Sequence, residues 1–326
     1  MNTYVESQLG SPTLLEAPPL DLQFGLAQPY EGFNPPSVRN AELEPVVETF
    51  ARNIERLQNL LAFPSFAVWV SRALERHGNT ARAELPPDAS EEQFRLTRNL
   101  HWKKESERTP ASQMVDFSLR GITELIEAMD THVWLGLEAI LLAQITGMWT
   151  AFEYLAGDLW KGAVNAYPKT ARPLIKKQFK FTDTLFEHVT GGSYDLHAGL
   201  GTFLADSDAV TFDSLKSLKE SYSIIHSDVI KKKILPDPAI GALSLVRNVI
   251  AHKAGIADDE YLRRHRAVGA PFRKLNRKLP ITGKAVHELI APVLAKAIEL
   301  IDATDKWITT KRGKDEQKKK RKRPEP

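Results

Sequence analysis

Apolar residues recur along most of this chain at three- and four-residue steps, the period of a helix with one buried face, and nowhere alternate as a half-buried strand requires. From Val46 to about His77 the stripe is Val46, Phe50, Ile54, Leu57 and Leu61. Pro64 removes a backbone donor and crowds the preceding turn, so two helices are predicted there. A polar segment with Pro86 and Pro87 follows, to about Pro110. Thr131 to Ala166 reads as one long helix, with Trp134, Leu141, Ile145, Met148, Phe152, Leu155 and Leu159 in its stripe and Pro168 marking its end. Phe212 to Ile225 predicts another amphipathic helix, and Val286, Ile290, Val293, Ala297 and Ile301 predict a last one, kinked at Pro292. Residues 1–45 hold seven prolines and keep no period, so a flexible arm is expected. The fold class is all-α, divided as the arm 1–45, a helical region 46–110, a main helical domain 111–310 and a basic, disordered tail 311–326.

The most sharply punctuated helix is LPDPAIGALSLVRNVIAHKAGI. Asp237 is a good N-cap, and Pro238 suits the first helical position. Gly255 suits the left-handed residue that ends a helix, with Ile256 supplying the accompanying apolar contact. Leu243, Val246, Val249 and Ile250 form the buried stripe. Arg247, Asn248 and His252 lie off it. Four residues turn a helix by about 400°, so Asn248 and His252 share a face, and the long Arg247 side chain swings toward it. His252 sits in the last turn, where the helix dipole favours its protonated form. An imidazole is a general acid or base near neutrality, a guanidinium clamps phosphate and its developing charge, and an amide orients either. Together they suit RNA cleavage by the 2′-hydroxyl without a metal.

Spacing alone equally describes a solvated helix end. Arg72 and His77 stand at the same separation, Arg95 and His101 one residue wider, and Arg98-Asn99 repeats the pair with His101 too close behind. What sets Arg247 and His252 apart is the Asn between them, the apolar filling and the caps.

Composition removes several other chemistries. With no cysteine, disulfides and thiolate zinc sites are excluded. Nine histidines form no ligand pair at helical spacing beside a carboxylate, His188 and His197 being split by the Gly191-Gly192 turn, so no metal or cofactor is expected. Neither that Gly pair nor HAGLGTF carries the Lys-Ser/Thr of a phosphate loop, and Gly-x-Ser-x-Gly is absent. Trp134, Trp149 and Trp160 belong to apolar stripes and read as core. Val133 to Trp149 is apolar but contains Glu138 and Gln144, which favours a buried core helix over a membrane span. MNTYVESQLG lacks the basic and apolar regions of a secretory signal, so the expected location is the cytoplasm. Of the net charge of +3, residues 1–45 hold six acids and one base while 311–326 hold nine bases and three acids. The basic character is therefore assigned to the tail, whose readings are a solvated end, a salt-sensitive phosphate-tracking arm, or a nuclear-import signal.

SLVRNVIAHKAGI resembles the signature helix of the HEPN superfamily, where Arg is followed by Asn, Asp or His and then by His. The helix with MWTAFEYLAGDLW is similar to that domain's early helix, which presents an acidic residue after an aromatic, here Glu153. The resemblance spans roughly 115–310 and implies a HEPN-like helical bundle with additional N-terminal helices. It further implies a homodimer with two Arg/His pairs facing each other, and a metal-independent endoribonuclease of the toxin–antitoxin, phage-defence or RNA-processing kind. RNA would be its substrate and a cognate antitoxin or inhibitor its partner. His252 would be the acid/base, Arg247 the phosphate-stabilising residue, and Asn248 the positioner. Glu153 would either bond Arg247 or His252, or serve helix packing. Where one branch places a modifiable Tyr two residues after the His, this chain has Ala254, so that control is not implied. A non-catalytic nucleotide- or protein-binding module is the alternative, favoured if Arg247 and His252 face bulk solvent away from any two-fold contact.

Overall fold

The computed structural model describes residues 33–108, 131–174, 196–207, 210–225, 227–270, 277–279 and 281–321. It is mostly helical, with no strand among the described residues beyond one isolated antiparallel bridge, Ile256 to Lys278. We number the helices α1 (Glu44–Glu84), α2 (Glu91–Ser106), α3 (Thr131–Ala166), α4 (Leu196–Asp206), α5 (Leu215–Ser221), α6 (Pro238–Lys253), α7 (Asp259–Val268) and α8 (Gly283–Arg321).

Helix α3 is the axis, packed by α1, α4, α6 and α8. Its stripe residues Leu141, Ile145, Met148, Phe152, Leu155 and Leu159 are all buried, and so are Trp149 and Trp160, which widens the buried face beyond one stripe. Burying an apolar side chain stabilises by about 1.5–3 kcal/mol, so this helix supplies much of the core. Its apolar run is long enough to cross a membrane by length and composition, but half of that window is buried within the bundle. At Gly201 of α4 a Cβ would stand 2.5 Å from the Lys161 carbonyl, so glycine is what lets α4 lie against α3. The Gly201 N–H donates to Asn165 Oδ1 at 2.6 Å across that contact.

Several expectations are corrected. Pro64 does not divide the first helix; α1 runs unbroken to Glu84. Leu60, whose carbonyl loses its donor at Pro64, is exposed, as is Phe63, while Phe50, Ile54, Leu61, Trp69, Ala73 and Ala81 pin both halves. The last helix is one element as expected, α8, which contains the exposed Pro292. The supposed polar segment contains α2, begun by a capping box in which Ser90 and Gln93 satisfy each other's backbone N–H. α2 packs on α1 through Trp69 and Trp102, whose rings lie 4.6 Å apart, and through His77 and His101, whose Nε2 atoms lie 2.5 and 2.9 Å from the Glu105 and Glu84 carboxylates. The amphipathic helix expected at Phe212 to Ile225 is shorter, covering Leu215–Ser221 and a 3-10 turn.

The two ends are also more ordered than composition suggests. Residues 33–40 lie outside any helix and are fastened at Arg39 and Asn40: Asp305 Oδ1 of α8 accepts from the Arg39 and Asn40 amides at 3.0 Å and from Asn40 Nδ2 at 2.7 Å. Arg312 closes the clasp on Asn40 and Glu42. The tail is helical as far as Arg321, and Lys311 lies over the rings of Tyr167 and Trp307. Residues 1–32 of the arm, 322–326 of the tail, His188 and the Gly191-Gly192 pair lie outside the described residues.

Candidate functional site on helix α6

α6 is buried almost all round over Ile240 to Val246, because α3, α7 and α8 pack against it. Its start is capped by Asp237, which accepts from the Ala239 N–H at 2.9 Å and pairs with Lys296 of α8 at 3.4 Å. Toward its C-terminal end the helix emerges. Arg247 and Asn248 are half-buried, and Ala251, His252 and Lys253 are exposed. The candidate residues thus sit where a rigid buried rod meets solvent.

The end of α6 differs from the expected cap. Ala254 already adopts the left-handed conformation (φ 50°), followed by Gly255 at 78°. For Ala that region costs about 1–2 kcal/mol. The amides of Ala254 and Gly255 both donate to the Val249 carbonyl, the latter at 3.1 Å, which offsets the cost. Ile256 makes no buried cap contact; it is 47% exposed, and Ala257 is buried in its place. The residues after the cap turn back to pair with 277–279.

Arg247 and Asn248 are brought together: Arg247 Nη1 donates to Asn248 Oδ1 at 3.0 Å, which holds the guanidinium on the Asn248 side of the helix. His252 stands one turn on, exposed, and has no hydrogen-bond or ion-pair partner among the described residues. Glu153 on α3 lies behind the pair, half-buried. Burial pushes its carboxyl above the usual carboxylate range, the Arg247 guanidinium pulls it back, and Asp213 pushes it up again. The Trp149 indole N–H, buried one turn earlier, also acts to lower it. No hydrogen bond joins Glu153 to Arg247 or His252 among the described residues, so its influence is through charge. Asp213 and Trp149 had no signal in the sequence that tied them to α6. Among the described residues no three His, Asp or Glu side chains converge as a metal site.

The Glu153 shift has a direct consequence. A carboxyl raised above its unfolded value stabilises the fold in full only below that value, and the contribution is lost as pH rises through the folded one. Glu153→Gln, which imitates the protonated form, is therefore expected to melt at or above the parent at pH 7, with the difference gone near pH 3. A lower melting temperature at pH 7 would mean that attraction to Arg247 outweighs burial.

No protein-family model, curated protein or solved structure matches the chain.

Proposed function

We propose that this chain is a HEPN-type, metal-independent endoribonuclease that acts as a homodimer in the cytoplasm. The observation that carries the reading is the Arg247–Asn248 pair at the solvent-facing end of α6, one turn before the exposed imidazole of His252. In the reaction the 2′-oxygen attacks phosphorus, the bond to the 5′-oxygen breaks and a 2′,3′-cyclic phosphate forms. An imidazole takes the 2′-hydroxyl proton or delivers one to the leaving oxygen, while the guanidinium faces the charge gathering on phosphorus. Glu153 is the charge partner behind Arg247, and Asp213 acts on Glu153.

The homodimer rests on α3. From Leu135 onward its exposed positions are Leu135, Gly136, Ala139, Thr150 and Tyr154, none charged, and they fall within about 100° of the helix circumference. Tyr154 adjoins Glu153, so a two-fold contact along this row would bring two α6 ends together. The resemblance adds a defence or toxin–antitoxin setting with a cognate inhibitor. The lone exposure of His252 in a single chain favours the other reading, a binding module, if no second copy supplies its partners.

Incubation of purified protein with mixed RNA and excess chelator is expected to give fragments ending in 2′,3′-cyclic phosphate, and sedimentation at micromolar concentration to give a dimer. Intact RNA would favour the binding module. A monomer that still cleaves would remove the shared site.

A further inference from the structure

Counting charge over the whole folded body hides a local feature. Between Tyr261 and Lys284 the chain carries eight lysines and arginines and no acid. Of its described parts, residues 277–279 lie beside the C-terminal end of α6, while α7 runs back along α6 until Val268 lies against Gly241. Ala257 N–H donates to the Arg277 carbonyl at 3.1 Å and Leu279 N–H to the Gly255 carbonyl at 2.8 Å, so 277–279 is stapled to the residues that follow His252. Helix α7 starts at Asp259 and packs on α6.

Some of these cations are occupied: Arg264 pairs with Glu260 at 3.4 Å and Lys278 with Glu138 at 2.6 Å. Arg263, Arg266 and Arg277 are exposed and have no acidic partner among the described residues. Arg263 and Arg266, three apart, share a face of α7. Beside Arg266 opens a pocket of about 560 Å³, lined among the described residues by Leu262, His265, Arg266, Gly269 and Ala270. His265 is held in it, with Nδ1 2.7 Å from the Leu262 carbonyl and its ring stacked on Tyr261.

We infer that α7 and residues 277–279 form a binding surface for single-stranded RNA, which leads the phosphate backbone toward His252 and receives a base in the pocket at His265. That this RNA is a substrate rests on the ribonuclease reading; the binding does not. Guanidinium groups suit phosphate because their planar fork donates two parallel hydrogen bonds. An acidic lipid surface is the weaker match. Membrane-lying helices set large apolar residues beside their cations, whereas the exposed positions of α7 are Asp259, Glu260, Arg263, Arg264, Arg266 and Ala267. A largely apolar pocket beside a cationic ridge suits a single strand, which can turn a base out of its backbone track as a duplex cannot.

The test uses the full chain with His252→Ala, which keeps RNA intact, and a fluorescent single-stranded RNA of about 20 nucleotides, titrated across salt. Adding Arg263→Gln, Arg266→Gln and Arg277→Gln together is expected to weaken binding at least tenfold at low salt. The slope of log affinity against log salt should flatten by about 2, since each lost phosphate contact removes about 0.7. Circular dichroism should not change. Unchanged affinity and slope would overturn the surface, as would lost binding to phosphatidylserine vesicles with RNA binding kept. If the triple variant loses RNA but the parent chain cleaves none, the ribonuclease reading fails and the surface stands. If the parent cleaves and the triple variant binds as before, the surface alone fails.

Discussion

His252→Ala and Arg247→Ala are each expected to lower RNA cleavage by about 10²–10⁴, with the fold intact and the parent activity insensitive to chelator. His252 is exposed and Arg247 half-buried, so neither truncation opens a cavity in the core; changes at such positions usually cost within about 0.5 kcal/mol. The loss should instead appear in the chemical step. Removing the imidazole deletes the proton carrier, and removing the guanidinium deletes both the charge facing phosphorus and the group that Asn248 holds. Arg72 and His77 repeat the spacing and serve as a control. In the structure His77 is buried and tied to Glu105 at 2.5 Å, so it fastens α2 to α1. His77→Ala should therefore loosen that hairpin and leave cleavage unchanged. Should His77→Ala abolish activity while His252→Ala does not, α6 is the wrong site. Should both α6 variants cleave like the parent, the chain is no ribonuclease and the binding module replaces it.

Trp160→Ala should be the most damaging of the core substitutions, at about 3–5 kcal/mol. Trp160 is 0% exposed in the C-terminal third of α3 and rests edge-on against Phe212, with ring centroids 5.5 Å apart. Its Nε1–H donates to the Ser221 carbonyl at 2.9 Å, so truncation both empties a volume and strands a buried acceptor. Domains commonly hold only about 5–15 kcal/mol in all, so the variant should unfold at markedly lower urea or accumulate poorly. Trp160→Phe fills most of the space and loses mainly the hydrogen bond, so its cost should be about 1–3 kcal/mol. Equal urea midpoints for Trp160→Ala and the parent would show that α3 is not the axis of the core.

The helical fold and the candidate site were legible for one reason: each is written in short-range pattern. The stripes of α3 and α8 and the Asp237-Pro238 start of α6 depend on residues within a turn or two of one another. Arg247, Asn248 and His252 likewise lie within six residues on one helix, so their clustering follows from helical geometry alone. Gly255 is left-handed as its place after the apolar stripe implies, yet the turn begins at Ala254, where the chain leaves the helix to pair with residues 277–279. The capping box at Ser90 and Gln93 is equally short-range, a Ser three residues before a Gln, and starts α2 within the polar segment.

What remained hidden depends on contacts between distant residues. Whether Pro64 ends a helix was decided by packing on both sides of it, which no local rule contains. The order of residues 33–40 and of the first turn beyond 310 comes from Asp305 and Arg312 meeting Asn40, over more than 260 positions of separation. Glu153 acquires its raised carboxyl only when α3 is set against α6 and Asp213. Periodicity and capping act through neighbouring dihedrals, so the sequence by itself determined the stripes of α3 and α8, the start of α6 and the placing of Arg247, Asn248 and His252 on one helix. Burial and electric field depend on which helices meet, so only the tertiary structure decided what surrounds those three residues and which cations stand beside them.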